Sequence, residues 1–499
     1  MSQANGLDRP KTKAVVITTA ATLMILAAIG AGAQPALAAA SPAGPAAAGA
    51  AGTVDWYVAP DGTVDYEHSA ALAYAFLDDR VDEYCSADGM CLPRSYQGGF
   101  FTTPDWDFTS SFLYDDALIV MAYAARGLPD DIRRAQSIGD ALLFVQQNDP
   151  DFSDGRTRAS YQPASLRAGA VEIGSSASNT GNQAWVGMAL ARLFDVTGER
   201  KYLDGALRLA DWIQQNTADT EHAPFGYTGG QDADGNPFTF KSTEHNIDVA
   251  AFFTQMSALT RDAVWADRAA VAAGFVAAMQ TEDGHLWTGT HPDGVSTNYY
   301  PIPEDPQTWS YLATLDDRYA SALAWTVENL HATDGPYAGP AFSSADVSKV
   351  WFEGSGQLAL ALRTRDSAGD ADYTQSILAS AELAQRQAAN GDGRGIVASS
   401  SDGLDTGFGD LYYSSLHTGA TAWYLLAVTG YNPFRLAVDP ETPTVPSPEG
   451  EGEGVAPIAD ASGDVLAESG SEAPVVAIGV AGLALLVGAS LLRRRHAAR

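Results

Sequence analysis

Lys241 to Phe253 reads KSTEHNIDVAAFF. Glu244, His245, Asn246 and Asp248 crowd the first turn of a segment that is otherwise apolar and has a helical period. Polar groups in that position are expensive to bury against a core unless they face a cavity. The pattern recurs along the chain. Periodicity predicts long helices at roughly 66–84, 111–127, 131–149, 181–197, 200–217, 245–260, 263–281, 307–316, 318–331, 353–366, 371–390 and 417–429. Those at 111–127, 181–197, 245–260, 307–316 and 353–366 lead into the next helix through tight turns, such as Gly127-Leu128-Pro129 and Thr197-Gly198-Glu199. Each of these helices, and 417–429, is entered through a loop of about 20–30 residues rich in Gly, Pro, Asp and aromatics, a length that usually marks function. Helical hairpins repeating about every 65 residues, shortened once near 316–353, form an internal repeat. If the repeat closes on itself, all six long loops meet on one rim, at the N-termini of one set of helices.

The flanks differ in composition. Residues 1–38 carry Arg9, Lys11 and Lys13, an apolar run and Ala36-Leu37-Ala38, the plan of a secretory signal peptide. Residues 39–53 are an Ala/Pro/Gly spacer, 54–435 are globular in composition, and 436–465 are a linker rich in Pro, Glu and Gly. In 466–499, Leu466-Ala467-Glu468-Ser469-Gly470 precedes an apolar run from Ala473 to Leu492 and then Arg493-Arg494-Arg495. About 20 apolar residues can span a bilayer, with the basic end held in the cytoplasm. The two cysteines, Cys85 and Cys91, lie in the first long loop and are expected to form a local disulfide in an exported chain; metal ligation would lack partners.

The net charge of −32 excludes nucleic acid and anionic lipid as natural partners, because phosphate binding needs clustered Lys and Arg. No P-loop, G-x-G-x-x-G, H-E-x-x-H, C-x-x-C or G-x-S-x-G pattern is present. Asp232-Ala233-Asp234-Gly235-Asn236 reads as an Asp-Gly turn rather than a calcium loop. No metal or cofactor is expected.

The rim presents Trp106, Asp115 and Asp116 from the first loop, then Asn182 and Gln183 from the second. The third gives Glu244, His245 and Asp248, the fourth Trp309, the fifth Trp351 and Glu353, and the sixth Tyr413 and His417. Aromatic faces stack on the C–H faces of sugar rings, while carboxylates, amides and imidazoles bind hydroxyls. Glycoside hydrolysis needs two carboxyl groups, an acid for the leaving oxygen and a base or nucleophile. Clustered carboxylates push one another's pKa apart, which keeps one protonated. The competing structural reading is capping: Asp107, Ser242 and Asn179 sit where a helix start favours such side chains. Asp115 and Asp116 project about 100° apart, so only one faces a cavity. His245 reads as a hydrogen-bonding rim residue rather than a metal ligand.

The stretches FLYDDALIVMAYAARG, STEHNIDVAAFF, WFEGSGQLALAL and HTGATAWYLLAVTGYNPF are similar to segments of bacterial members of the six-hairpin glycosidase superfamily. That resemblance covers about 66–434 and implies an all-α fold, an (α/α)6 barrel or toroid. It further implies an active site at the long-loop rim, usually inverting, with acid and base on opposite walls about 6.5–9.5 Å apart. LAESG followed by an apolar run and a basic tail resembles a Gram-positive cell-wall sorting signal of the LAxTG kind, with Ser469 in place of the usual Thr. It implies a sortase acting at Leu466–Gly470; a permanent membrane anchor is the alternative.

Together these readings predict an extracellular, surface-anchored glycoside hydrolase. Glu244 is expected as general acid and Glu353 or Asp115 as base. Trp106, Asp116, Asn182, Gln183, His245, Asp248, Trp309, Trp351, Tyr413 and His417 are expected to line the subsites. A uronan lyase or epimerase on the same toroid is the alternative, requiring Tyr413 or His417 as base and converging Arg or Lys. A non-catalytic glycan-binding protein would show aromatics without paired acids.

Overall fold

A computed structural model describes residues 66–436. The signal-peptide, linker and sorting-signal expectations, including the apolar run 473–492, lie outside the described residues. No helix among the described residues is long and apolar enough to cross a membrane.

Among the described residues twelve helices of ten residues or more follow one another: α1 (Tyr66–Glu83), α2 (Leu113–Arg126), α3 (Pro129–Gln147), α4 (Thr180–Thr197), α5 (Arg200–Thr217), α6 (Thr243–Thr260), α7 (Ala263–Ala278), α8 (Asp305–Thr314), α9 (Ala320–Asn329), α10 (Phe352–Arg365), α11 (Asp370–Gln387) and α12 (Thr418–Thr429). The even-numbered helices contact one another in chain order, and α12 returns to α2, so six helices make a closed inner ring. The odd-numbered ones pack outside it, α1 against α12. Burial follows. Every residue of α4 from Thr180 to Leu193 is buried, whereas α5 is apolar on one face only, the difference between a helix covered all round and one with a wet side.

Each inner helix stops in the same way. Its closing residue takes a left-handed conformation: Gly127, Gly198, Arg261, Leu315, Asp366 and Gly430. This conformation reverses the chain into the tight turn and satisfies a carbonyl of the last turn. The rim is stitched by short antiparallel pairings between successive long loops. Ser111 pairs with Tyr161, Asn179 with Gly230, Ser242 with Gly289, Pro303 with Ser343 and Trp351 with Ser399. His417 pairs with Tyr96, which joins the last loop to the first.

Opposite the rim the ring is plugged. Trp185, Trp309 and Trp423 meet inside it, with Phe434 5.1 Å from Trp185. The segment after α12 is tied across this end by Asn432 Nδ2 donating to the Leu312 carbonyl (2.8 Å) and Gln255 Nε2 to that of Pro433 (3.4 Å). Cys85 and Cys91 are disulfide-bonded. Asp232 Oδ1 accepts the Asp234 and Asn236 amides, the expected Asp-Gly turn. The shortened hairpin near 316–353 is α8 and α9, followed by a β-hairpin pairing His331–Asp334 with Tyr337–Pro340.

Candidate active site

The inner helices all present their N-termini to the rim, so their first turns form one ring of side chains. Seven carboxyl groups stand there: Asp115 and Asp116 on α2, Glu244 and Asp248 on α6, Glu304 and Asp305 at the start of α8, and Glu353 on α10. All are at least nine-tenths buried. Asp115, Glu244 and Glu353 lie on alternate inner helices, with Asn182 of α4, Asp305 of α8 and His417 before α12 between them. Among the described residues no Lys or Arg forms an ion pair with any of the seven, and no group of three or more is placed to hold a metal ion.

One wall is wired together. Tyr114 donates to Glu353 Oε1 at 2.7 Å and accepts from Trp423 Nε1 at 2.9 Å. His417 Nε2 is 3.3 Å from Asp115, and its Nδ1 is 3.6 Å from Glu353 Oε2. The Ala420 amide donates to Nδ1 at 3.3 Å, so in the neutral ring the proton lies on Nε2, pointing at Asp115, and a second proton would add at Nδ1, on the Glu353 side. The Tyr96 ring lies flat on the imidazole at 4.2 Å. Gly419 leaves the room: a Cβ there would stand 2.6 Å from Asp115 Oδ1 and 2.8 Å from His417 Cε1.

The opposite side is less tied. Both ring nitrogens of His245, both oxygens of Asp248 and both amide atoms of Asn182 are buried without a hydrogen bond from the protein. The Trp185 indole N–H faces Asp248 closely enough to lower its pKa but falls short of hydrogen-bond geometry. Gly181 is the floor of this corner, its missing Cβ 2.6 Å from His245 Cδ2 and 3.0 Å from Asp248 Oδ2. Buried polar groups in a folded protein are normally paired, so a corner of unpaired ones is a place for a ligand or water.

Burial without cations sets the protonation. Desolvation, then Asp305, Asp248 and Glu353, hold Glu244 well above the usual carboxyl range. Desolvation and Glu353 push Asp305 up to about 8. Glu353 is raised by desolvation but restrained by His417 and by the Tyr114 hydrogen bond, and rests at about 7 against the push of Asp115. Burial lowers His245 to about 4, so its ring is neutral at neutral pH. Burial also opposes protonation of His417, but Asp115 and Glu353 together raise it. The cluster therefore combines carboxyls that keep their protons with one that can lose its own near neutrality.

Not every side chain expected at the rim faces this cluster. Asp116 turns to Ser111 Oγ, 2.9 Å from both its oxygens, which resolves the Asp115–Asp116 pair in favour of Asp115. Gln183 is occupied in holding Thr157, accepting from its amide and donating to its carbonyl, both at 2.9 Å. Trp309 belongs to the aromatic plug, four residues further down its helix. Trp351 packs on Phe342 and Tyr412 in the wall. Trp106 and Tyr413 are half-buried at the mouth, where exposed Phe100 stacks on Tyr413 at 3.8 Å.

Two acids escaped the sequence reading. Glu304 and Asp305 precede Pro306, before the helix expected at 307–316. The helix begins at Asp305, and the signal that could have located it is Pro within a first turn, where its missing N–H costs nothing. Tyr96 also went unnoticed, since only the pairing of the first and last loops brings it to His417.

The fold is that of known carbohydrate enzymes. The chain is similar to a D-mannose isomerase structure (12% identity, TM-score 0.54, covering 74% of this chain and 96% of that one). It is equally similar to cellobiose 2-epimerase from Spirochaeta thermophila (12%, TM-score 0.54, 74% and 97%). A solved glycosidase matches at 14% identity and TM-score 0.51, over 74% of this chain and 100% of the other. At these identities the likeness establishes the toroid and no more. No protein-family model matches the chain, and no curated protein matches it.

Proposed function

We propose that this protein is a carbohydrate-processing enzyme, and specifically a glycoside hydrolase with Glu244 as general acid and Glu353 as general base. The observation that carries this reading is the contrast between two carboxyls of one cluster on different walls. Glu244 is held protonated by burial and three acidic neighbours, whereas Glu353 is kept ionisable near pH 7 by His417 and Tyr114. Hydrolysis uses this pair directly: the Glu244 proton goes to the leaving glycosidic oxygen, while Glu353 takes a proton from the attacking water. Asp115 acts through His417, orienting the imidazole that steadies the Glu353 charge. Phe100, Trp106 and Tyr413 offer a stacking surface at the mouth.

A second reading is favoured by one observation. His245 is a buried neutral imidazole with both nitrogens unpaired, a group able to take a proton from a sugar carbon, as epimerisation or isomerisation requires. The solved epimerase and isomerase share the toroid. The uronan lyase has less support. Lys241 is bound to Asp219 and to the Pro224 and Gly294 carbonyls, Arg156 to Asp154 and Arg158 to Asp149. None is left to neutralise a uronate.

Display at the surface of a Gram-positive cell, through the sorting-signal-like segment or a retained membrane anchor, is part of the proposal and rests on sequence alone. The deciding experiment is incubation with oligosaccharides and free sugars in D2O. Hydrolysis yields new reducing ends without carbon-bound deuterium, and Glu244→Gln should lower its rate by about 10²–10⁴-fold. Deuterium on a sugar carbon without new reducing ends would establish the epimerase reading instead.

A further inference from the structure

We propose that the corner formed by Asn182, His245 and Asp248 is a subsite for a sugar bearing a free amino group, so that the enzyme selects hexosamine-containing glycans over neutral or N-acetylated ones. The inference rests on the reading of the ring as a glycan site and names its substrate class.

Hydrolysis requires two carboxyls, and Glu244 with Glu353 suffice. Asp248, Asp305 and Glu304 remain in the same cluster, all buried, with both oxygens of Asp248 and of Glu304 unpaired. Buried carboxyls are ordinarily paired with a cation or with several donors, and unpaired ones are costly. The protein supplies no Lys or Arg here among the described residues, and His245 is uncharged. In the free protein burial and Asp305 keep the proton on Asp248, and a cation arriving with the ligand is the partner that would let it ionise. An ammonium group fits: it is compact, carries three N–H donors and no acceptor, and makes its strongest hydrogen bonds to carboxylates. Asp248 provides the acceptor oxygens, His245 a neutral acceptor against the same Gly181, and Asn182, next to Gly181 on α4, has both amide atoms unpaired. The two groups are brought together by the absence of a side chain at Gly181, where a Cβ would touch both His245 and Asp248. Acetylating the amine removes the charge and the donors and adds bulk in a space that close. Uronates and phosphorylated sugars would bring an anion to a corner with no Lys or Arg to pair with it.

The test is calorimetric titration of the full chain carrying Glu244→Gln, which blocks turnover, with three oligosaccharides of equal length: a glucosamine oligomer, its fully N-acetylated counterpart and a neutral gluco-oligomer. The glucosamine oligomer is expected to bind at least about tenfold more tightly than either of the others, a ratio typical of one charge-assisted contact. Adding Asp248→Asn should bring that ratio close to one while the neutral and acetylated oligomers still bind. Equal or preferred binding of the uncharged oligomers would overturn the amino-sugar selectivity and leave the glycan site standing. No binding of any of the three, with no reducing ends released by the wild-type chain from a wider glycan panel, would overturn both.

Discussion

Replacing Gly181 by alanine tests whether the open corner of the ring is built by close packing. The added methyl carbon would stand 2.6 Å from His245 Cδ2 and 3.0 Å from Asp248 Oδ2. Carbon atoms in contact prefer about 3.5–4.0 Å, so the imidazole must retreat by about 1 Å. Forcing a methyl into a filled core costs about 1–3 kcal/mol. Against this, alanine in place of glycine favours the α4 helix by up to about 1 kcal/mol. The net expectation is a loss of about 0–2 kcal/mol, small beside the stability of a domain this size. The effect on activity should be much larger, because displacing binding groups by about 1 Å can lower a rate by about 10²-fold. Urea unfolding and kcat/KM on the same preparation of Gly181→Ala measure both quantities. A variant that gains about 1 kcal/mol and keeps its full rate would show that neither His245 nor Asp248 needs its present position, refuting the corner as part of the site.

Four other outcomes follow from the same structure. Because Glu353 must be ionised to act as base, kcat/KM should rise as pH passes about 7 rather than near the ordinary value of 4.5, and a rate already maximal at pH 5 would remove Glu353 from that role. The same shift sets the sign of stability: the folded protein holds a proton on Glu353 that the unfolded chain releases above pH 4.5, so this contribution, about 3 kcal/mol, is present below pH 4.5 and lost as pH rises through about 7, as urea midpoints across that range would show. Leu315 closes α8 at φ 54°, where a side chain is strained, and Leu315→Gly should raise stability by about 0.5–1 kcal/mol; a loss would mean its contacts outweigh that strain. Phe434→Ala should cost about 3–5 kcal/mol, read from thermal or urea unfolding, because Phe434 fills the plug among Trp185, Trp309 and Trp423; a loss under about 1 kcal/mol would mean the tail is not part of the core.

How far the sequence reaches can be judged from particular residues. The alternation of long loops and tight turns is local chemistry, written in glycines such as Gly127, Gly198 and Gly430 and in apolar runs of helical period, so the sixfold hairpin repeat was legible. So was the placing of Glu244, His245, Asp248, Asp115, Glu353 and His417 at the starts of inner helices, because first-turn polar residues before an apolar run have few reasons to exist other than a cavity. The boundary of α8 was not legible: Pro306 serves equally well in a turn or in a first helical turn, and only packing against α6 and α10 decides between them. Side-chain direction was hidden for the same reason. Asp115 and Asp116 are equivalent as residues, as are Asn182 and Gln183 in hydrogen-bonding capacity, yet Ser111 and Thr157 claim one of each pair and leave the other to the cluster. Sequence alone determined which segments are helices and which ends bear acids, since both depend on neighbours within a few positions. Tertiary structure alone decided that six carboxyls share one buried space with no Lys or Arg paired to them, because their protonation and their partners depend on distances between helices far apart in the chain.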